Sequence, residues 1–188
     1  MGTEAAALLF TDGAVPAAAV VRDCAARKIV HVAVMSEPTI GAILISATAS
    51  GEIRLVESAR ALAGRGLEGD RYAKNGGTFS AKPGTGRQIT LIEAEAIEAY
   101  EAELGEPLSA AEARRNLVTR GVRLNDLVGR EFLVGEVRVL GCRLCEPCAH
   151  LVRLTGKPQT LTGLANRGGL RAEILSDGVI RVGDRVVC

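Results

Sequence analysis

The chain has 188 residues, a formal net charge of +1 and 47% hydrophobic residues, enough for one buried core. So even a charge lacks the basic excess that gathers duplex nucleic acid, and three Phe, two Tyr and no Trp leave few rings for stacking single-stranded bases. No apolar run approaches the ~20 residues of a membrane-spanning helix, and the N-terminus lacks a basic start, an apolar stretch and a small-residue cleavage site. The expectation is a cytoplasmic protein with no nucleic-acid or membrane partner and with reduced thiols.

Residues 1–38 differ in texture from the rest and carry little turn chemistry. Met35 precedes a segment that reads as a natural beginning. We expect residues 1–38 to be an N-terminal extension or an extra element without a role in function, and residues 39–188 to form the domain. From residue 41, GAILISA and EIRLVE have the aliphatic and β-branched character of two strands, the second alternating Ile53 and Leu55 against Arg54, joined in a hairpin through Ser50-Gly51. GRGLEGDRYAKNGG, residues 64–77, holds five glycines and reads as a long loop of the kind that often carries function. RQITLIE, residues 87–93, reads as a strand.

The period then changes. EAEAIEAYEAEL places Ile97, Tyr100 and Leu104 at helical spacing, and Gly105 with Pro107 ends the helix. Ser109 and Glu112 fit a capping box that opens a short helix holding Arg114 and Arg115 near its end. REFLVGEVRVLG, residues 130–141, alternates through Phe132, Val134, Val137 and Val139 around a Gly-Glu break. GLRAEILSDGVIRVGDRVV, residues 169–187, carries Asp177-Gly178 between two alternating runs, a strong hairpin signal. The fold class these elements predict is mainly β with a few helices (α+β), arranged as a barrel.

The chemistry concentrates in CRLCEPCAH, residues 142–150, with three of the five cysteines and one of the two histidines. Cys24 and Cys188 stand alone and read as a small buried residue and a chain end. A structural zinc site wants four closed ligands, commonly two separated pairs, and the second pair is missing. A ferredoxin-type cluster needs a fourth thiolate where Val152 stands. Cys145 and Cys148 have the spacing of an exchanging dithiol, without the thioredoxin-like setting. A single thiolate that ligates a heavy metal or carries sulfur is the fourth reading; Arg143 and Arg153 would favour it and Glu146 would oppose it. Chemistry alone does not rank the last two.

GRGLEGDRY (64–72), RQITLIEAEAIEAYE (87–101), EARRNLVTRGVRLNDLVGREFLVG (112–135), CEPCAHL (145–151) and GLRAEILSDGVIRVGDRV (169–186), in this order, resemble the MOSC domain, the C-terminal module of molybdenum cofactor sulfurases. The chain resembles a stand-alone bacterial member. The resemblance implies a MOSC-type β-barrel that binds the molybdenum cofactor (molybdopterin). It implies catalytic cysteines at Cys148 and, less directly, Cys145, with Cys148 as the molybdenum ligand or as a persulfide carrier.

Arg71, Arg115 and Asn116 are then the candidates to bind the cofactor's phosphate and pterin oxygens. Asp70 with Arg71 would equally make a structural ion pair, and Asn116 would equally cap a helix end. His150 is a candidate proton donor or a solvent-facing helix residue, and Thr119 and Arg120 fit a structural turn. The implied activity is two-electron reduction of an N-hydroxylated or related oxygenated small-molecule substrate, with an electron-donor reductase as partner. Sulfur transfer and a non-catalytic zinc or structural module are the alternatives. Pyridoxal phosphate is supported by no residue identified. With no partner domain to cover the cofactor, a homodimer or a second protein is expected to complete the site.

Overall fold

The computed structural model describes residues 20–22, 29–31, 37–78, 80 and 85–188. Cys24 and Met35 lie outside the described residues, so the expectations placed on them have no structural counterpart. The chain divides into two units, Met1–Ser36 and Glu37–Cys188. In the first, β1 (Val20–Arg22) pairs antiparallel with β2 (Ile29–His31).

The second unit opens with β3 (Thr39–Ile45), β4 (Arg54–Val56), β5 (Ser58–Leu62) and β6 (Gly66–Leu67). A 3-10 turn at Arg71–Lys74 leads to β7 (Ile89–Glu93), α1 (Ala94–Leu104), α2 (Ala110–Ala113) and β8 (Leu117–Arg120). A second 3-10 turn, Leu124–Leu127, precedes β9 (Glu131–Val134) and β10 (Val137–Leu144). Next come α3 (Ala149–Thr155), α4 (Thr160–Gly163), β11 (Leu170–Ile174), β12 (Gly178–Arg181) and β13 (Val186–Val187).

Eight strands form one curled sheet in the order β13-β9-β10-β11-β7-β8-β3-β4. An isolated antiparallel bridge between Thr39 and Arg185, flanked by Ile40 N–H to Asp184 O at 2.8 Å, brings β3 back to the chain entering β13 and closes a barrel. A smaller sheet has the order β12-β5-β6. Within the eight-stranded sheet β7 and β8 pair in parallel, which needs a crossover, and α1 with α2 supplies it.

Burial explains the sequence texture. Ile43, Leu91, Leu117, Val134, Val139 and Leu170 are all fully buried in the main cluster, each contributing about 2 kcal/mol of transfer free energy. Leu44, Ile92 and Val118, the chain neighbours of three of them, are buried in a second cluster with Ala96 of α1 and Ala113 of α2. β3, β7 and β8 are therefore covered on both faces and read as unbroken apolar runs. β9 and β10 alternate instead, joined by the two-residue turn Gly135-Glu136 with Gly135 at φ 57°. A third cluster joins Tyr100 of α1 to Leu151 of α3 and to Leu164 just after α4.

Three expectations need correction. The hairpin at Asp177-Gly178 does not form. Both edges of β11 are already taken, by β10 and β7, so β12 pairs with β5 in the smaller sheet, and Asp177 Oδ1 accepts the Ala63 N–H at 2.7 Å. The 64–77 segment is not a plain loop, since it contains β6 and the Arg71–Lys74 turn. In β4 the supposed alternation fails at Leu55, which is 68% exposed because this strand is the sheet's edge. The Ser50-Gly51 hairpin does form, with Leu44 opposite Leu55.

Candidate functional site

β10 runs past Leu140 to Leu144, so Cys142 lies within the strand and only Cys145 and Cys148 follow it. The three thiols meet different surroundings. Cys142 is half-buried, with its sulfur 3.5 Å from the Leu140 carbonyl oxygen, and burial, then the Glu173 carboxylate, push its thiol up from the usual range. Cys145 is buried at 2% exposure, its N–H donating to Gly169 O at 2.7 Å. Cys148 is exposed at the N-cap of α3, with extended backbone (φ −149°, ψ 168°) and no capping bond from its sulfur. Among the described residues no group of three or more His, Cys, Asp or Glu is placed to hold a metal ion. The zinc reading therefore finds no ligand set there.

Cys148 stands at a cleft lined also by Arg71, Arg114, Arg115, Arg171 and His150, with Glu146 the one acidic residue of the lining. Each arginine is positioned differently. Asp70, 1% exposed, accepts from the N–H groups of Ser46 (3.1 Å) and Tyr72 (3.0 Å), from Arg71 Nη1 (3.3 Å) and from Asn116 Nδ2 (3.3 Å). The expected Asp70–Arg71 ion pair is present, and it holds a guanidinium that also stacks 5.0 Å over the Tyr72 ring. Arg114 is the C-cap of α2 in the left-handed region (φ 56°), an uncommon conformation for a side-chain-bearing residue. Its Nη2 donates to Gly51 O at 3.1 Å, and burial, then the Arg71 charge, depress its affinity for its proton.

Arg115 is 7% exposed. Its fork donates from Nε to Gly168 O (2.9 Å), from Nη1 to Ala113 O (2.8 Å) and from Nη2 to Cys145 O (2.8 Å). It thus ties the end of α2, the cysteine segment and the entry to β11 together. It makes no salt bridge among the described residues. A buried charge met only by carbonyl dipoles leaves the adjoining cleft electropositive.

His150 Nδ1 lies 2.6 Å from Arg153 Nη2. A guanidinium only donates, so Nδ1 accepts and the neutral ring carries its proton on Nε2. Burial, then Arg153, Arg114 and Arg71, hold the imidazole below its ordinary value.

Of the residues singled out from sequence, Cys145, Cys148, His150, Arg71 and Arg115 come together in this lining. Asn116 does not. It is 5% exposed beneath the cleft, where Oδ1 accepts from Thr90 N–H (3.1 Å) and Thr90 Oγ1 (3.0 Å), and Nδ2 donates to Leu44 O and Asp70 Oδ2 (both 3.3 Å). Nor does it cap α2, whose capping residue is Arg114. Thr119 bonds the Ile92 carbonyl inside the core, and Arg120 pairs outside with Glu98 and Glu95. Arg114 and Arg171 are lining residues that sequence reasoning gave no binding role. The doubled arginine after the capping box was a visible hint for Arg114. Arg171 had none, being one outward residue of an alternating strand.

No helix among the described residues is long and apolar enough to cross a membrane. A sequence model of the MOSC domain matches residues 76–187, more than half of the chain. No curated protein matches in sequence. Among solved structures, the YuaD protein of Bacillus subtilis superposes with a TM-score of 0.67 at 16% identity over 80% of this chain and 94% of that one. YiiM of Geobacillus stearothermophilus gives 0.62 at 17% over 80% and 74%, and YiiM of Escherichia coli gives 0.58 at 17% over 79% and 68%. At such identities the superpositions speak for the fold. The MOSC family is associated with binding of the molybdenum cofactor. The matched span includes β7 to β13 and with them the cysteine segment, so the barrel and the cleft beside Cys148 are those of a chain that belongs to the MOSC domain family.

Proposed function

We propose that the protein binds the molybdenum cofactor in the cleft beside Cys148 and serves the two-electron reduction of an N-hydroxylated or related oxygenated small molecule. The observation that carries this reading is an exposed thiol that shares its cleft with a buried guanidinium, Arg115, which no carboxylate neutralises among the described residues. The donor set fits the group. A soft thiolate suits molybdenum, and Arg71 and Arg114 supply the planar donors that a phosphate takes. Cys148 would be the protein's ligand, Arg71 and Arg114 would hold the anionic end, and Arg115 would act through the field it contributes and the segment it fastens. The chemistry such a group supplies when bound is removal of oxygen from the substrate with two electrons.

The chain's own residues divide the remaining work. Cys145 is buried at the wall of the cleft, 2% exposed, while Cys148 is exposed, so Cys148 acts as a single thiol rather than as half of a dithiol. His150, whose charged form burial and then its cationic neighbours disfavour, offers an Nε2–H hydrogen-bond donor at the same cleft. Electrons would come from a separate reductase, and a second copy or another protein would cover the cofactor in a cytoplasmic setting.

Molybdenum and pterin content of protein from a host that makes the cofactor tests the reading. Near-stoichiometric molybdenum with a fluorescent pterin, lost in Cys148→Ser and kept in Cys142→Ser, supports it. Equal loss from both substitutions overturns the assignment to one thiol. The exposed Cys148 sulfur also suits a sulfur carrier, which would instead show an adduct of about 32 Da on Cys148, one sulfur atom, without bound cofactor.

A further inference from the structure

A second hollow of about 320 Å³ shares Glu146, Cys148 and Arg171 with the cleft and adds Arg87, Arg143 and Pro147. Two of its arginines face each other because of a defect in the sheet. Along β10 and β11, Gly141 stands opposite Ala172, but the next paired residue is Arg143, opposite Arg171. Cys142 is the extra residue of a β-bulge. Unbroken pairing would have set Cys142 against Arg171 and Arg143 against Leu170. Directly opposed residues project to one face of a sheet, and like charges so placed destabilise it. The bulge creates this unfavourable pair.

Arg143 is exposed and Arg171 half-buried, and the nearby Glu173, on the same face of β11 as Arg171, spends a carboxylate oxygen on the Gly86 N–H. Neither Arg143 nor Arg171 makes a side-chain hydrogen bond or salt bridge among the described residues. Glu146, the one acid of the hollow, accepts the Asn166 N–H at 3.0 Å. The bulge is also held in place. Gly86, at φ +68°, packs so closely that a Cβ there would stand 2.8 Å from Cys142 Cβ and 3.1 Å from Arg171 Cβ, and its N–H is bound by Glu173 Oε1 at 3.1 Å. Bulges beside functional sites re-aim side chains, and an anion in the hollow would offset the two like charges that this bulge sets at its mouth.

We propose that this hollow is an anion subsite for the substrate, in which a carboxylate or phosphate on the small molecule is gripped between Arg143 and Arg171 beside the Cys148 sulfur. Assigning the anion to the substrate rests on the cofactor reading above, while the anion site itself does not. The class of substrate narrows to oxygenated molecules that carry an acidic group.

Alkylation of Cys148 in cofactor-free, full-length protein tests the site. Rates with anionic iodoacetate and neutral iodoacetamide are read at each cysteine peptide by mass spectrometry. Their ratio cancels the thiolate population, since the same thiolate attacks both reagents. The ratio at Cys148 is expected to exceed that at exposed Cys188 by about tenfold, to fall severalfold in Arg143→Ala, and to persist in Arg143→Lys. Equal ratios at the two cysteines, or a ratio indifferent to Arg143→Ala, overturn the anion subsite. Molybdenum and pterin content of Arg143→Ala, made in a cofactor-producing host, identifies whose anion it is. Unchanged content supports the substrate, and lost content assigns the subsite to the cofactor's phosphate and overturns the substrate claim. Should the wild type hold no cofactor, the function proposed above fails while the alkylation ratios still decide the subsite.

Discussion

Arg115 Nη2 and the Cys145 carbonyl oxygen lie 2.8 Å apart, so a buried guanidinium holds the segment that presents Cys148 three residues later. Arg115→Met should lower unfolding free energy by about 3 kcal/mol, since three carbonyls lose a charged donor in a buried setting. Arg115→Lys should also lose stability, because an ammonium cannot reproduce the planar fork. Urea titration checks both, with a shifted midpoint at unchanged slope as the expected result.

Asp70 collects four donors in a nearly closed environment. Asp70→Ala strands two backbone N–H groups and releases Arg71, at a cost of about 3 kcal/mol. Cofactor content should fall together with stability, whereas Asn116→Asp, which sets a second carboxylate against Asp70, should destabilise at neutral pH and recover as the solution is acidified. Thermal melts between acid and neutral pH decide this.

His150 titrates below the ordinary imidazole value because burial and three guanidiniums oppose its charge. The unfolded chain therefore binds the proton more readily than the folded one once pH falls below about 6.5, and stability declines from there as pH drops toward the folded value. Arg153→Gln should move the imidazole titration upward in a histidine NMR experiment. Inorganic phosphate bound in the cleft should move it the same way by offsetting the guanidinium charge. A titration insensitive to both changes would remove His150 from the site's electrostatics.

Gly86→Ala places a Cβ in the left-handed region and against the bulge at Cys142 and Arg171. The expected outcome is a loss of about 2 kcal/mol and a lower iodoacetate preference at Cys148, read by the same peptide assay. Gly105→Ala, also left-handed but with open space around its Cβ, should cost less and leave the preference intact.

Much of the architecture was legible because it is encoded at short range. The helical period around Tyr100, the Ser109–Glu112 capping box and the alternation through Phe132 to Val139 involve residues a few places apart. The Asp177-Gly178 signal misled for the converse reason. A local turn preference was overruled by strand edges supplied from β7 and β10, far away in the chain. Asn116 likewise looked like a ligand by type, but its amide is spent on Thr90, Leu44 and Asp70, which only the folded barrel gathers.

By itself the sequence determined a β-rich barrel with a few helices, singled out the cysteine segment as the candidate site, and offered the Asp70–Arg71 ion pair as one of two readings of those neighbours. Periodicity, caps and neighbouring charges depend on contacts that the local chain already makes. Only the tertiary structure decided that Cys148 and not Cys145 reaches the surface, that Arg115 is buried against three carbonyls, and that a bulge sets Arg143 opposite Arg171. Exposure, desolvation and cross-strand partners arise from register between distant segments, and register is settled by which apolar faces close together in the core.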